Sequence, residues 1–199
     1  MSSLKSNILL NGINTVTSIL FPIITFPYAA RVLLPAGIGV VNFQLSIINY
    51  IILLTSLGIP LYAVKEIAKH QDNKILRDKT AIEILFLSLI LSLIGYIIVT
   101  ILVQYNSQIN QQALLFYILS LTIGFTALGA NWFYQGIEDF KFITIRAITI
   151  RTLAAISLFI FVKDHNDLLQ YGAITVGATV GNNIINFFHL RKLISWHTV

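Results

Sequence analysis

Cysteine is absent from the 199 residues. Its absence excludes disulfides and thiolate metal sites. Charge is scarce too. Asp, Glu, Lys and Arg make up 11% of the chain, where a soluble domain carries about 25%. No charged residue occurs between Arg31 and Lys65, and none between Glu83 and Glu138. There is no phosphate-cradling G-x-x-x-x-G-K-[ST] loop and no nucleophile elbow. His70, His165, His189 and His197 are scattered without ligand spacing. Glu138 and Asp139 are adjacent, so on a helix they point about 100° apart and form no carboxylate pair. They read as caps of the turn before Phe140. Nothing here argues for an enzyme, a cofactor or a metal.

What is present is apolar. Hydrophobic residues make up 56% of the chain. A helix needs about 20 mostly apolar residues to cross the roughly 30 Å of bilayer hydrocarbon. The two charge-free gaps have room for one span and two spans. Such runs are too long for barrel strands, which alternate over short segments. The fold class is all-α: a polytopic membrane protein, a single six-helix transmembrane bundle over 1–199. The expected spans are 7–30, 39–62, 84–104, 113–135, 143–162 and 168–190, with a cytoplasmic loop at 65–83. The first run exceeds the roughly 7–15 apolar residues of a signal peptide, so it reads as a retained helix.

The net charge of +5 does not point to nucleic acid, because the positive residues sit in short segments between apolar runs. One set of loops and tails holds Lys5, Lys65, Lys69, Lys74, Arg77, Lys79, Lys141, Arg146, Arg151, Arg191 and Lys192. The other holds Arg31 and Lys163. That bias predicts both termini in the cytoplasm. Within 65–83, Lys74 and Asp78 have helical i, i+4 spacing, as do Lys65 and Lys69, which reads as a solvated helix near anionic lipid.

Polar residues inside a span are costly, so they face a cavity or another helix. Asn7, Asn11, Asn14 and Ser18 recur at steps of four, three and four, on one helical face. Pro22 and Pro27 should kink or break that helix. The second span carries Asn42, Gln44, Ser46 and Asn49 and ends in Gly58-Ile59-Pro60, which favours a local break. The sixth carries Asn182, Asn183 and Asn186, and also Ala173, Gly177 and Gly181, a small-residue stripe suited to close packing. Both readings, cavity wall and helix packing, stay open for the asparagines. Arg146 is close enough to the start of the fifth span to snorkel. Arg151 lies about 12 Å in from Ile143. A cation at that depth marks a functional site or a buried partner. Arg31 sits on the side poor in cations, as an interfacial anchor or a charge at a cavity mouth. Arg31, Arg151, Asn11, Asn14, Asn42, Asn49, Asn182 and Asn186 are the candidate cavity residues.

Several short motifs point to one family. They are Phe26-Pro27-Tyr28, then Arg31-Val32-Leu33-x-Pro35-x-Gly37-Ile38-Gly39, Ser56-Leu57-Gly58-Ile59-Pro60-Leu61-Tyr62, Glu66-Ile67-Ala68 and Trp132-Phe133-Tyr134-Gln135-Gly136-x-Glu138. In this order they resemble the polysaccharide (O-antigen) flippases of the multidrug/oligosaccharidyl-lipid/polysaccharide exporter superfamily. The resemblance implies 12–14 spans in two bundles around a cationic cavity. It implies transfer of an undecaprenyl-pyrophosphate-linked oligosaccharide across the bacterial inner membrane, by ion-coupled alternating access. Leu34 stands where the family often has glycine. Six spans match the N-terminal half, so the expected partners are the bilayer, the lipid-linked oligosaccharide, and a second half or a second copy. A drug exporter of the same superfamily and a non-transporting membrane subunit are the alternatives.

Overall fold

The computed structural model describes residues 4–195. All their regular structure is helical: α1 (Leu4–Ser56), α2 (Ile59–Lys69), α3 (Lys74–Tyr105), α4 (Ser107–Asn110), α5 (Ala113–Gly129), α6 (Asn131–Gly136), α7 (Phe140–Phe161) and α8 (Leu168–Leu193). Four stretches are long and apolar enough to cross a membrane: Lys5–Ser56, Lys74–Tyr105, Ala113–Gly136 and Phe140–Phe161. The protein is therefore a multi-pass membrane protein. Six separate spans do not appear by this measure, for two physical reasons. The first two expected spans run together as α1, and α8 is diluted by three asparagines, Arg191 and Lys192.

α1 holds one non-helical residue, Leu34, at φ 62 and ψ 163. Leu34 precedes Pro35, and proline pushes the residue before it out of the helical region. Pro22 and Pro27 lie inside the same helix without breaking it. At the start of α1, the Asn7 amide donates to Glu138 at 3.2 Å. Beyond the break, at the far end of α2, Ile67 lies against Gly136. Both ends thus meet the junction between α6 and α7. Between them, the Tyr28 hydroxyl donates to the Val162 carbonyl at the opposite end of α7.

The chain leaves α1 through Leu57 and Gly58, both at positive φ, and α2 begins with Pro60 in its first turn. The expected loop at 65–83 is mostly helix, interrupted at 70–73, where Asn73 caps α3 by accepting from the Leu76 N–H. Asp78 is not a solvated partner of Lys74. It is fully buried, pairs with Arg77 at 2.9 Å, and accepts the Ser195 N–H at 2.9 Å beyond α8. Asp139 caps α7 by accepting from the Phe142 N–H at 3.1 Å, whereas Glu138 meets Asn7. In the α7–α8 connection, Asp167 accepts the N–H groups of Lys163 and Asp164, which hold its carboxyl below the usual range.

Three apolar clusters lie along the bundle. One joins Ile67, Phe133, Tyr134, Ile143 and Leu190. A second joins Val41, Ile48, Phe116, Leu119 and Val176. The third joins Ala29, Leu33, Leu158 and Val162. α5 and α8 pack closely at Gly129, where a Cβ would collide with the Asn183 side chain, and at Gly172, where one would collide with Leu115. The expected small-residue stripe contributes less. Gly177 has nothing within 4 Å of a built Cβ, and Gly181 meets Ile150 at 3.4 Å.

Candidate functional site

α7 carries two arginines five residues apart. Five residues turn a helix through about 500°, which leaves them about 140° apart around the axis. Arg151 consequently faces α1, and Arg146 faces α6 and α8.

Arg151 lies about 16 Å along the helix from Phe140. Its Nη1 donates to the Asn14 side chain at 3.0 Å, the Asn14 carbonyl at 3.2 Å and the Thr17 hydroxyl at 2.9 Å. All three acceptors are neutral. Among the described residues no carboxylate pairs with Arg151, and its Nε and Nη2 make no hydrogen bond. The side chain is half-buried and borders a cleft of about 300 Å³ between α1, α7 and α8. Ser18, Thr25, Tyr171 and Thr175 give that cleft polar points, while Phe21 and Ile174 are among its apolar walls. A cation held by neutral oxygens, with donors to spare beside a cleft, can receive an anion.

Arg146 does not extend into solvent as a snorkelling side chain would. It is 8% exposed. Its Nε donates to the Asn182 side chain at 3.1 Å, and its Nη2 to the Asn131 side chain at 3.1 Å. The guanidinium also lies 5.4 Å from the Phe142 ring centre. Asn186 is fully buried, and its carbonyl accepts the Tyr134 hydroxyl at 2.6 Å. Among the described residues its side-chain amide has no partner.

The sequence-derived candidates therefore separate into groups. Asn14 and Arg151 meet at the cleft. Asn182 and Asn186 belong to the buried cluster around Arg146. Asn42 and Asn49 are exposed on the stretch of α1 after the break, with Ser46 between them on the same face. Asn11 is exposed on the earlier stretch, with Thr15 and Ser18. Arg31 is exposed near the break and is not brought to the cleft. Sequence reasoning missed Asn131, Tyr134 and Thr17. The turn of the helix between Arg146 and Arg151 was the available signal that they serve different neighbours. His197 lies outside the described residues.

The polysaccharide biosynthesis protein family matches residues 4–197. Two relatives are each named as a candidate O-antigen transporter. The one from Escherichia coli K12 is 29% identical over 184 residues, which is 92% of this chain and 44% of that protein. The one from Shigella dysenteriae is 28% identical over 197 residues, which is 95% of this chain and 47% of that protein. This chain thus spans less than half the length of either relative. No solved structure gives a significant match. A family match over nearly the whole chain agrees with the motifs from Phe26 to Glu138 and with the run of apolar helices, and the chain belongs to the polysaccharide biosynthesis protein family.

Proposed function

We propose that this chain forms one wall of a flippase for lipid-linked oligosaccharide in the bacterial inner membrane. The substrate class is an undecaprenyl-pyrophosphate-linked repeat unit destined for surface polysaccharide. The polyprenyl tail stays in lipid while the polar head crosses beside the protein, in alternating access coupled to an ion gradient. No covalent chemistry is required.

The observation that carries this reading is Arg151, an intramembrane cation with neutral partners and free donors beside the cleft. The exposed faces of α1 support it. Asn11, Thr15 and Ser18 on one stretch, and Asn42, Ser46 and Asn49 on the other, would be costly against lipid. A water-filled cavity completed by a second wall removes that cost, whether a second six-helix half or a second copy supplies it. Six passes with both termini in the cytoplasm fit the break at Leu34, since both ends of the α1–α2 segment meet the α6–α7 junction.

The test is Arg151→Ala in cells that depend on this protein for surface polysaccharide. Surface polysaccharide falls at least tenfold while the protein still reaches the membrane. Normal polysaccharide at normal protein level would remove Arg151 from the mechanism. One observation favours a small-molecule exporter of the same superfamily. The cleft has only about 300 Å³, at the low end for small-ligand sites. Drug susceptibility with and without the gene separates the two, because a flippase leaves it unchanged.

A further inference from the structure

The Arg151 cleft has a second polar wall, and its hydrogen-bonding sense is opposite to that of the arginine. Ser18 and Thr25 line it from α1, and Thr175 from α8. The Ser18 hydroxyl donates to the Thr15 carbonyl at 2.6 Å, Thr25 to the Phe21 carbonyl at 2.9 Å, and Thr175 to the Tyr171 carbonyl at 2.9 Å. A hydroxyl has one proton to give and two lone pairs. Each of these has given its proton to its own helix, so toward the cleft it can only accept.

Pro22 adds a fourth acceptor. It lies four residues after Ser18, inside α1 and on the wall of the same cleft. Proline has no N–H, so the Ser18 carbonyl loses its helical donor. Among the described residues no side chain donates to that carbonyl instead. A backbone carbonyl without a donor is costly inside a membrane. Pro27 is the contrast. Nine residues separate it from Ser18, which places it about 180° around the helix. It does not line the cleft, nor does Ile23, whose carbonyl it frees. On that side Ile19, Ile23 and Ile24 are exposed.

Donors come from the other wall. Arg151 keeps its Nε and Nη2 protons, and Tyr171 adds a hydroxyl that can act either way. Among the described residues no other charged side chain lines the cleft. A bare phosphate group matches only the arginine. It brings acceptors, and at neutral pH it has little left to donate. A sugar brings hydroxyl or amide protons. The ligand that satisfies both walls therefore carries an anion and hydrogen-bond donors side by side.

We propose that the cleft binds the junction between phosphate and first sugar, with the phosphate on Arg151 and a hydroxyl or amide proton of that sugar on the acceptors of Ser18, Thr25 and Thr175. The proposal rests on Arg151 serving a lipid-linked oligosaccharide. It adds that the sugar itself is read, by a wall that bare polyprenyl diphosphate leaves unsatisfied.

The experiment uses native membranes from cells that make the protein. Ala178→Cys, on the α8 wall of the cleft, gives the chain a single cysteine. The membranes are treated with a charged thiol reagent in the presence of polyprenyl diphosphate, or of the same lipid carrying one glucose, and the protein is then purified to read its modification. The glucosyl lipid should protect at a concentration at least tenfold lower than the bare lipid. Thr175→Val and Pro22→Ala, each added to Ala178→Cys, remove one acceptor apiece, the second by restoring an N–H to the Ser18 carbonyl. Each should narrow that ratio about threefold to fivefold, while protection by the bare lipid changes less than twofold. Pro27→Ala should leave both concentrations unchanged. Equal protection by the two lipids overturns the sugar contact and leaves the role of Arg151 standing. So does a full ratio in both Thr175→Val and Pro22→Ala, or an equal loss of protection by both lipids in them. No protection by either lipid overturns the sugar contact and the reading of Arg151 together. If Pro22→Ala does not accumulate, Thr175→Val and the parent decide between these outcomes.

Discussion

Arg146 and Arg151 share a helix and a side-chain type, and their surroundings are opposite. Arg146 is held between Asn131, Asn182 and the Phe142 ring, and its Nη1 is sealed from solvent. Arg151 is tied through one nitrogen to Asn14 and Thr17, and the rest of its guanidinium is open to the cleft. The first arrangement holds three helices in place. The second keeps hydrogen-bonding capacity in reserve. Depth in the membrane does not decide which role an arginine takes, because the deeper one by sequence is the more open one. The neighbouring helix on each side of α7 decides it.

This contrast can be inverted by experiment. The largest effect is expected from Arg151→Ala, at least a tenfold fall in surface polysaccharide, with less than about 1 kcal/mol lost from stability because Asn14 and Thr17 are only half-buried. Arg146→Ala should act the other way, through the fold. It leaves the Asn131 and Asn182 oxygens without their donor in a closed region, at about 1–3 kcal/mol each. The melting temperature and the amount of protein in the membrane should both drop. A stable Arg146→Ala protein alongside an unstable Arg151→Ala protein would reverse the assignment. Tyr134→Phe sharpens the point within the buried cluster. It removes the donor to the Asn186 carbonyl and should cost about 1–2 kcal/mol in thermal unfolding, with the membrane-inserted protein still able to form. The smallest effect is expected at the break in α1, away from both arginines. Leu34 occupies a region of φ and ψ that favours glycine, and its side chain is 53% exposed. Leu34→Gly should therefore raise stability by roughly 1 kcal/mol, net of the chain entropy that glycine adds.

The sequence made the all-helical, membrane-spanning character legible, because long apolar runs follow directly from bilayer physics. α7 begins at Phe140 and α8 at Leu168. The place of Arg151 in the interior of a long apolar helix was also legible. The identity of each partner was not. Periodicity gives the face of a helix on which a residue sits, and says nothing of which helix opposes that face. So Asn14 could be placed on a polar stripe without Arg151 being found across from it, and Arg146 could be assigned to the interface when Asn131 and Asn182 were waiting in the interior. Asp78 illustrates the same limit, since its spacing from Lys74 suited a surface pair while its actual partners are Arg77 and the Ser195 N–H. The prolines differ in what they do to α1. Pro22 and Pro27 could be absorbed within a long helix, whereas Pro35 acts at Leu34, near the middle of a segment whose two ends meet the same junction. The positive φ at Leu34 is one that glycine adopts without strain.

The absence of cysteine makes one measurement especially direct. Ser18 lines the cleft beside Arg151, and Ile19 is exposed on α1. Single-cysteine variants Ser18→Cys and Ile19→Cys, probed in intact membranes with a charged thiol reagent, report whether the cleft holds water. If Arg151 serves a polar substrate, Ser18→Cys is modified rapidly, Ile19→Cys slowly, and added polyprenyl diphosphate protects the first. Equal and slow modification at both positions, with no protection, would mean a dry packing surface and would contradict the role given to Arg151.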